Sequence, residues 1–386
     1  MKILIIRVAA NKLNLRTYNV QEVGLAKALV RKGHQCDVMY YTDQKQESME
    51  EVIFDNDKRV RIIWSPGIRI FQESYYPSLK SHINDYDVVQ IGGYNGVTSC
   101  WLNRKHQNKT VNFQGPYYYK KNRKDRLKTF VWDHTLLPLS HKRNMIVATK
   151  SKLATDHVKS KGIKNVTTIG IGLDLGNLVS SDDAYSHEFV RQLSTQKGNN
   201  KYLLYIGAIE DRRNILFMLE LFHSVHKKLQ NTRLILIGKG KDDYVQNCKE
   251  RIKLLGLDEF IIWQESLEQK YLKPVYEISD AFLLPTKYEI FGMVLLEAMY
   301  FGLPVFTTYN GGSSTLMDEG NGIVIEKFDV DVWSEKICEV LADVKKRKNI
   351  GLNAHRTIED YYTWDKLADK FLEVYRMRLC YLKEEQ

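Results

Sequence analysis

The chain of 386 residues lacks the sequence features of several protein classes. Its five cysteines are scattered and form no C-x-x-C pair, which excludes a disulfide framework and indicates reduced thiols in a cytoplasmic protein. Its ten histidines show no ligand spacing such as H-x-x-x-H, so we expect no metal site. No apolar run reaches the roughly 18 residues of a membrane span, and the first apolar run is too short for a signal peptide.

The charge balance is basic, with 57 Lys and Arg against 47 Asp and Glu. Such an excess suits nucleic acid, an anionic membrane or an anionic substrate. The cations concentrate at residues 104–109 and 117–128, and three consecutive tyrosines begin the second stretch. A charge run is often only a solvated surface, but rings beside cations also suit a membrane interface. We therefore expect a cytoplasmic protein with peripheral contact at the anionic inner face of the cell membrane.

Segments with strand and helix patterns alternate along the chain, which is typical of parallel sheets with crossover helices. One series fills residues 1–178, and a polar, turn-rich stretch at 179–200 is predicted to be a linker. A second series fills 201–360, and a helix lies within 361–386. The sequence thus predicts an α/β fold with two doubly wound, Rossmann-like domains, whose ligands bind beyond the carboxyl ends of the strands.

One segment near the carboxyl end carries most of the functional signal. The predicted strand 281–284 leads to a loop with Glu289, a glycine at a helix start (Gly292) and a helix with Glu297. A helix N-terminus offers unpaired N–H groups and about half a positive charge, which suits a diphosphate. Glu297 lies roughly 8 Å along the axis beyond this point, so two carboxylates flank the site. The alternative is that Glu289 caps the helix and Glu297 lies on its surface.

This segment closely resembles the donor-binding segment of family 4 glycosyltransferases. The matching residues are Pro285, Glu289, Phe291, Gly292, Glu297, Ala298, Met299, Gly302, Pro304, Val305, Gly311 and Gly312. The resemblance implies the GT-B architecture, in which two Rossmann-like domains face each other across a cleft and the last helix crosses back to the first domain. It also implies that Glu289 contacts sugar hydroxyls near the reacting carbon and that Glu297 contacts the ribose.

The resemblance assigns further residues to the donor. Arg212 and Arg213 follow the predicted strand 202–206, and the fork of an arginine suits phosphate oxygens. Leu267 belongs to the segment in which the family holds the nucleotide base. Together with Glu297, the implied donor-binding residues are Arg212, Arg213, Leu267, Ile290, Phe291, Gly292, Met293 and Val294.

Four positions depart from the family pattern. Ala208 replaces the first of two phosphate-binding cations, Glu265 replaces a glycine near the base, and Thr315 replaces an acid after the Gly-Gly turn. Gln114 stands where a histidine commonly lies near the reacting carbon. A glutamine can contact a sugar hydroxyl but cannot titrate near neutrality. We assign Gln114 and Glu289 to the catalytic region.

These features predict a metal-independent, retaining glycosyltransferase. It would need no cofactor beyond a nucleotide-diphosphate sugar as co-substrate, and its acceptor would be a glycan or a lipid-linked glycan of a capsule, exopolysaccharide or other cell surface. One alternative is a nucleotide-sugar epimerase on the same scaffold, which would need titratable groups in the cleft. Another is a glycan phosphorylase, which would need a lysine that holds pyridoxal phosphate. A nucleic-acid-binding protein would explain the charge but not the paired glutamates, so we expect no nucleic acid as partner.

Overall fold

A computed structural model describes residues 1–11, 13–15, 20–70, 73–117, 127, 130–140, 144–178 and 182–380. The chain forms two compact units. The first comprises Met1–Gly172 and Thr363–Gln386, and the second comprises Leu173–Tyr362. The boundary that the sequence placed at residue 178 therefore falls six residues earlier, between Gly172 and Leu173.

The first unit is built on an eight-stranded sheet with the order β10-β9-β8-β7-β1-β2-β4-β3. Its strand pairs are parallel except for β3 with β4, and β5 and β6 form a separate antiparallel pair. The inner strands are almost continuously apolar and buried, as expected for a parallel sheet that is covered on both faces. The strands are β1 Lys2–Ile6, β2 Gln35–Thr42, β3 Ser48–Phe54, β4 Lys58–Pro66, β5 Ile68–Ile70, β6 Glu73–Tyr75, β7 Val88–Gly92, β8 Thr110–Gln114, β9 Ile146–Thr149 and β10 Asn165–Thr168.

The second unit is built on a six-stranded sheet with the order β13-β12-β11-β14-β15-β16, in which every pair is parallel. The chain moves outward from β11 to β13 and then returns to the other side of β11. The junction of β11 and β14 is therefore the topological switch point of this sheet. The strands are β11 Lys201–Ile206, β12 Thr232–Ile237, β13 Ile261–Gln264, β14 Ala281–Leu284, β15 Val305–Thr307 and β16 Ile323–Val324.

Helices connect the strands of both sheets. The α-helices are α1 Gln21–Arg31, α2 Leu79–His82, α3 Val97–Lys105, α4 Leu137–Leu139, α5 Lys152–Ser160, α6 Glu188–Lys197, α7 Ile215–Lys228, α8 Asp242–Leu254, α9 Leu272–Ile278, α10 Met293–Tyr300, α11 Ser313–Leu316, α12 Val330–Ala342, α13 Val344–Tyr361 and α14 Trp364–Cys380. A π-helical turn, Trp132–Leu136, leads directly into α4.

The last helix, α14, completes the first unit. Trp364 at its start is buried against α1, where a Cβ added to Gly24 would lie 2.3 Å from the Trp364 indole nitrogen. Asp365 forms an ion pair with Arg31 of α1 at 3.2 Å. Since any side chain at position 24 would displace the indole, glycine is the residue that permits this packing.

The stretch predicted as a linker contains a helix. Within 179–200, residues 179–181 lie outside the described residues, and α6 occupies Glu188–Lys197. Phe189, Val190 and Leu193 are buried, because their spacing places them on one face of α6. The polar, turn-forming residues that suggested a linker lie at the two ends of this short helix and conceal its apolar stripe.

Candidate functional site

The switch point of the second sheet brings together residues that are far apart in sequence. Arg212 and Arg213 follow β11, and Glu289 follows β14, so the parallel strands place them at the same edge. The Arg213 guanidinium forms an ion pair with the Glu289 carboxylate. Arg212 Nη1 lies 3.6 Å from Glu289 Oε2. Three of the predicted site residues therefore form one cluster.

The two arginines are held differently. Arg212 donates to the Tyr288 carbonyl oxygen at 2.8 Å and to the Glu210 carboxylate at 2.6 Å. Arg213 is largely buried, and its Nε has no hydrogen-bond partner among the described residues. A buried donor without an acceptor is unfavourable by about 1–3 kcal/mol. Arg213 thus has unused capacity to bind an anion, whereas Arg212 mainly fixes the loop before Glu289.

Helix α10 begins beside this cluster. Gly292 precedes it with φ 82°, a left-handed conformation that favours glycine, and as the N-cap residue it has no side chain that could cap the helix. Glu289 Oε1 accepts from the Phe291 amide at 3.3 Å, just before the helix begins, and the alternative in which Glu289 caps the helix stays a prediction. Ile290, Gly292, Met293 and Val294 are half-buried, whereas Phe291 is buried. The positive end of α10 therefore adjoins the Arg213–Glu289 pair.

The Gly-Gly turn after β15 supports this loop from behind. A Cβ at Gly311 would lie 1.9 Å from the Ile290 carbonyl oxygen, and one at Gly312 would lie 1.8 Å from the Phe291 carbonyl oxygen. The Gly311 amide also donates to the Glu289 carbonyl oxygen at 3.0 Å. This close backbone approach requires glycine at both positions. The turn holds the loop that carries Glu289.

Glu297 lies on the buried side of α10. It is 0% exposed, and its Oε2 accepts from the Tyr276 hydroxyl at 2.7 Å. The alternative that placed Glu297 on the helix surface is therefore wrong. Tyr276 is itself fully buried and stacks on Phe301 with ring centroids 5.1 Å apart. The sequence analysis missed Tyr276, since nothing in its local pattern distinguishes it from an ordinary core aromatic residue.

Leu267 lies at the same edge of the sheet, on the loop after β13. It is half-buried, and β13 is separated from β11 by one strand. With neighbouring strands about 4.8 Å apart, this places the loop about 10 Å along the sheet from the Arg213 strand. The predicted phosphate, sugar and base residues of the second unit thus follow three strands of one sheet edge.

Gln114 belongs to the first unit, at the end of β8. Its side chain is 1% exposed, and its Oε1 accepts from the Tyr94 amide at 3.3 Å. Its Nε2 donates to the Pro116 carbonyl oxygen at 2.8 Å. Because both ends of the amide bind backbone groups, the geometry favours a role in positioning the loops after β7 and β8. Direct contact with a sugar hydroxyl stays a prediction.

The first sheet has its own switch point, between β1 and β7, and the sequence analysis did not identify its charged residues. Arg7 follows β1 and forms an ion pair with Glu22 of α1 at 3.7 Å. Lys150 follows β9, and its Nζ donates to Gln21 Oε1 at 2.9 Å. Burial lowers the pKa of Lys150. A cavity of about 40 Å³ is lined by Gln21, Glu22, Lys150 and Trp364, among others. For Lys150, its place directly after a predicted buried strand was the available signal.

Some predicted features cannot be placed. Within the basic stretch 117–128, only Tyr117 and Leu127 belong to the described residues. In the part of the chain that the structure describes, no group of three or more His, Cys, Asp or Glu side chains is arranged to hold a metal ion. In the same part, no helix is both long and apolar enough to cross a membrane.

The chain has two doubly wound α/β units, and the arginine–glutamate cluster lies at the switch point of the second. This combination defines its fold class. Sucrose-phosphate synthase from Thermosynechococcus elongatus has a similar structure, with a TM-score of 0.74 and 16% identity over 98% of this chain and 99% of that chain. HepE from Anabaena in complex with UDP gives a TM-score of 0.73 and 16% identity over 98% of this chain and 100% of that chain. At such identities the likeness shows the fold alone. The predicted GT-B class of two Rossmann-like domains is confirmed.

The sequence of the second unit is similar to that of known glycosyltransferases. Residues 186–357 match the model of the family described as "Glycosyl transferases group 1". An uncharacterised glycosyltransferase of Methanocaldococcus jannaschii is 27% identical over 194 residues, which are 50% of this chain and 48% of that protein. The chain spans about half the length of the curated relatives it matches. The predicted resemblance to glycosyltransferases is confirmed over this region.

Proposed function

We propose that the chain is a glycosyltransferase that moves a sugar from a nucleoside-diphosphate donor to a hydroxyl group of an acceptor. One observation carries this proposal: the buried, unsatisfied Arg213 Nε, the Glu289 carboxylate and the N-terminus of α10 meet at one switch point. The N–H groups of Arg213 and of the helix start would bind a diphosphate, and the Glu289 carboxylate would accept hydrogen bonds from sugar hydroxyls.

The donor would lie along the carboxyl edge of the second sheet. Arg213 and the amides from Phe291 to Val294 would bind the diphosphate, and Arg212, held by Tyr288, would offset the missing cation at Ala208. Leu267 would contact the base. Glu297 would bind the ribose, with its carboxylate oriented by the Tyr276 hydroxyl.

The chemistry we propose is transfer with retention of the anomeric configuration. The acceptor oxygen forms the new bond to the anomeric carbon on the face from which the diphosphate leaves, and the acceptor proton passes to the departing phosphate oxygen. The protein positions the two substrates and stabilises the separating charge. Arg213 and the positive end of α10 would neutralise the leaving diphosphate, so the proposal includes no metal ion and no further cofactor.

The acceptor side rests on the first unit. Gln114 would hold the loops after β7 and β8 in place through its bonds to Tyr94 and Pro116. We propose a glycan or lipid-linked acceptor, as in assembly of a capsule or another surface polysaccharide at the cytoplasmic face of the cell membrane. The basic charge of the chain and the match of residues 186–357 to the glycosyltransferase model support this setting.

A ligand panel tests the proposal. UDP-, GDP-, ADP- and dTDP-sugars are screened for thermal stabilisation of the protein, because a ligand of the folded state stabilises it by RT ln(1 + [L]/Kd). We expect one nucleotide to stabilise the protein in the presence of EDTA, and the product to keep the anomeric configuration of its donor. An isomerised donor sugar without transfer would indicate an epimerase instead. No stabilisation by any member, or activity that requires added Mn²⁺ or Mg²⁺, would contradict the proposed site.

A further inference from the structure

The second unit contains a cavity at the edge of its sheet opposite the proposed donor site. Its volume is about 630 Å³, within the roughly 300–1,000 Å³ of small-molecule sites. Helix α10 runs from the carboxyl edge of β14 to the amino edge of β15, and the cavity adjoins its last residue, Tyr300, together with α9 and α13. The eight residues of α10 span about 12 Å and separate the two places. We call this space the α10–α13 cavity.

Part of the lining of the α10–α13 cavity is apolar. Leu178 is 8% exposed, Phe301 is half-buried, and Leu352 of α13 is 49% exposed. The Phe301 ring is held in place, because it stacks on the buried ring of Tyr276 with centroids 5.1 Å apart and planes inclined by 15°. Leucine side chains and a fixed aromatic ring form a surface on which a planar apolar group can pack.

Another part of the lining is cationic. Lys273 of α9 and Lys348 of α13 line the cavity, and Glu277 lies beside them. Glu277 is already engaged, because its carboxylate accepts from the Tyr185 hydroxyl at 2.5 Å and lies 3.8 Å from the Lys273 Nζ. The Lys348 ammonium has no ion pair or hydrogen bond with another described residue. The cavity therefore holds an excess of positive charge.

The start of α13 adds to this charge. Residues 345–348 are Lys-Lys-Arg-Lys, and they lie at the end of the helix that already carries a partial positive charge. Lys346 pairs with an acid of α12 at 2.5 Å, and Arg347 pairs with Asp280 at 2.8 Å. A run of cations at a helix N-terminus is unfavourable by itself. An anion in the cavity, next to Lys348, would offset this cost.

We propose that the α10–α13 cavity is a second ligand site, which binds a small ring compound that carries an anionic group. The ring packs against Phe301 and Leu352, and the anionic group pairs with Lys348. An inorganic anion would lack the apolar contact, and an uncharged ring would lack the ion pair. The two parts together therefore define the class of ligand.

Two side chains connect this cavity with the donor site. Phe301 stacks on Tyr276, and the Tyr276 hydroxyl donates at 2.7 Å to Glu297, the proposed ribose contact. A ligand that packs against Phe301 restrains this stack and therefore the hydroxyl that orients Glu297. We expect occupancy of the cavity to tighten donor binding, and this part of the inference rests on the proposed function. By linkage, the nucleotide then tightens ligand binding by the same factor.

The probe is 1-naphthyl phosphate, and 1-naphthol and inorganic phosphate represent its two parts. Titration calorimetry of the full chain measures the affinity for each. We expect the probe to bind about tenfold or more tightly than either part alone. Lys348→Glu should weaken probe binding about tenfold or more, because an attractive charge becomes a repulsive one. Arg213→Ala should leave probe binding unchanged, since the probe does not occupy the proposed diphosphate site.

Lys253→Glu provides the matched control. Lys253 is an exposed lysine of α8 in the same unit and does not line the cavity, so the substitution makes the same change of charge elsewhere. It should leave probe binding unchanged at physiological salt, at which exposed charges more than about 8 Å apart are largely screened. Thermal denaturation of each variant shows that it is folded.

Tyr276→Phe separates ligand binding from its effect on the donor site. The variant keeps the ring that stacks on Phe301 and loses the hydroxyl that is bonded to Glu297. The probe should therefore bind as it does to wild type. In wild type the probe should raise the affinity for the nucleoside diphosphate about fivefold or more, and in Tyr276→Phe this effect should disappear.

Equal affinity of wild type and Lys348→Glu for the probe overturns the inference, as does an equal loss with Lys253→Glu. Probe binding that leaves the nucleotide affinity of wild type unchanged overturns the connection with the donor site. Probe binding that depends on Lys348, in a protein that binds no nucleotide, would support the second ligand site and contradict the proposed function.

Discussion

The two sheets each end at their switch point in an arginine–glutamate pair, but the surroundings of the two pairs differ. In the second unit, Arg213 meets Glu289 beside the N-terminus of α10, and the Arg213 Nε lacks a partner among the described residues. In the first unit, Glu22 lies in the first turn of α1, where it also accepts from the Tyr40 hydroxyl at 3.3 Å. Of the two pairs, only the second adjoins a helix start opened by a glycine.

One architecture therefore carries different residues at its two switch points. Parallel strands create a ligand-binding edge in any doubly wound sheet, and the residues placed there decide what binds. Gly292, Gly311 and Gly312 bring backbone groups close to the Arg213–Glu289 pair in the second unit. In the first unit, the side chain of Gln21 at the start of α1 is already bonded to Lys150. We therefore expect diphosphate binding at the second switch point and not at the first.

The largest effect should come from Glu289. Glu289→Ala should reduce kcat roughly 10²-fold or more, about 2.7 kcal/mol, because its proposed contacts lie near the carbon at which charge develops. Steady-state kinetics with the donor identified by the ligand panel measures this. Glu22→Ala removes the corresponding acid of the first unit and should leave the donor KM unchanged. Near-normal kcat in a folded Glu289→Ala variant would remove this residue from the catalytic region.

A smaller effect is expected at Glu297. Glu297→Ala should mainly raise the donor KM, because ribose contacts are similar in the ground state and the transition state. A 2′,3′-dideoxy donor, which lacks the ribose hydroxyls, should bind wild type more weakly than the normal donor does. It should bind Glu297→Ala about as well as the normal donor does, because the four affinities form a double-mutant cycle that isolates the contact between Glu297 and the ribose. Tyr276→Phe, which removes the hydroxyl bonded to Glu297, should shift KM in the same direction by less. If the losses of affinity from the dideoxy donor and from Glu297→Ala are additive, Glu297 does not contact the ribose.

The smallest effect concerns pH and the first switch point. Burial lowers the pKa of Lys150 below its ordinary value of 10.5, while Glu22 opposes this shift and Arg7 adds to it. Between the lowered pKa and 10.5 the unfolded chain binds more protons than the folded one, so the free energy of unfolding rises with pH there. The stability of wild type relative to Lys150→Met should therefore increase as the pH rises towards 10.5. Thermal denaturation of both proteins measures this across the pH range. A difference in stability between wild type and Lys150→Met that stays constant with pH would contradict the argument.

The sequence predicts the inner strands well because their patterns are local. The short, mostly apolar run at 88–92 predicts a buried strand, and β7 has these bounds. The exposed strand β3, Ser48–Phe54, carries no such signal. Its position depends on pairing with β4 through a turn in which Asp55, Asn56 and Asp57 all have positive φ, at 41°, 53° and 84°.

The helices near the carboxyl end show a second limit on what the sequence predicts. The apolar spacing at 332–347 predicts one helix, but the structure has α12 and α13 with a break at Asp343. The Asp343 carboxylate accepts from the Lys346 amide at 2.8 Å, so it caps a new helix. A capping residue inside an amphipathic pattern is visible in the sequence, but whether it starts a helix depends on packing.

The site was predictable where one motif carries it, and not where partners come from elsewhere in the chain. Glu289 and Glu297 are recognisable by their spacing around Gly292. The pairing of Glu289 with Arg213, 76 residues away, and of Glu297 with Tyr276 arises only when the strands and helices pack. The same holds for Gln114, whose buried amide bonds could not be read from its place after a strand.

Binding of a nucleoside diphosphate without its sugar tests the central claim most directly. Titration calorimetry compares wild type with Arg213→Ala and with Arg7→Ala, which removes the arginine at the corresponding place in the first unit. Loss of a charge-assisted bond should weaken binding to Arg213→Ala roughly 10- to 100-fold, since such bonds contribute about 1.5–3 kcal/mol. Arg7→Ala should bind as wild type does. Unchanged affinity in Arg213→Ala, or an equal loss in Arg7→Ala, would contradict the assignment of the diphosphate to the second switch point.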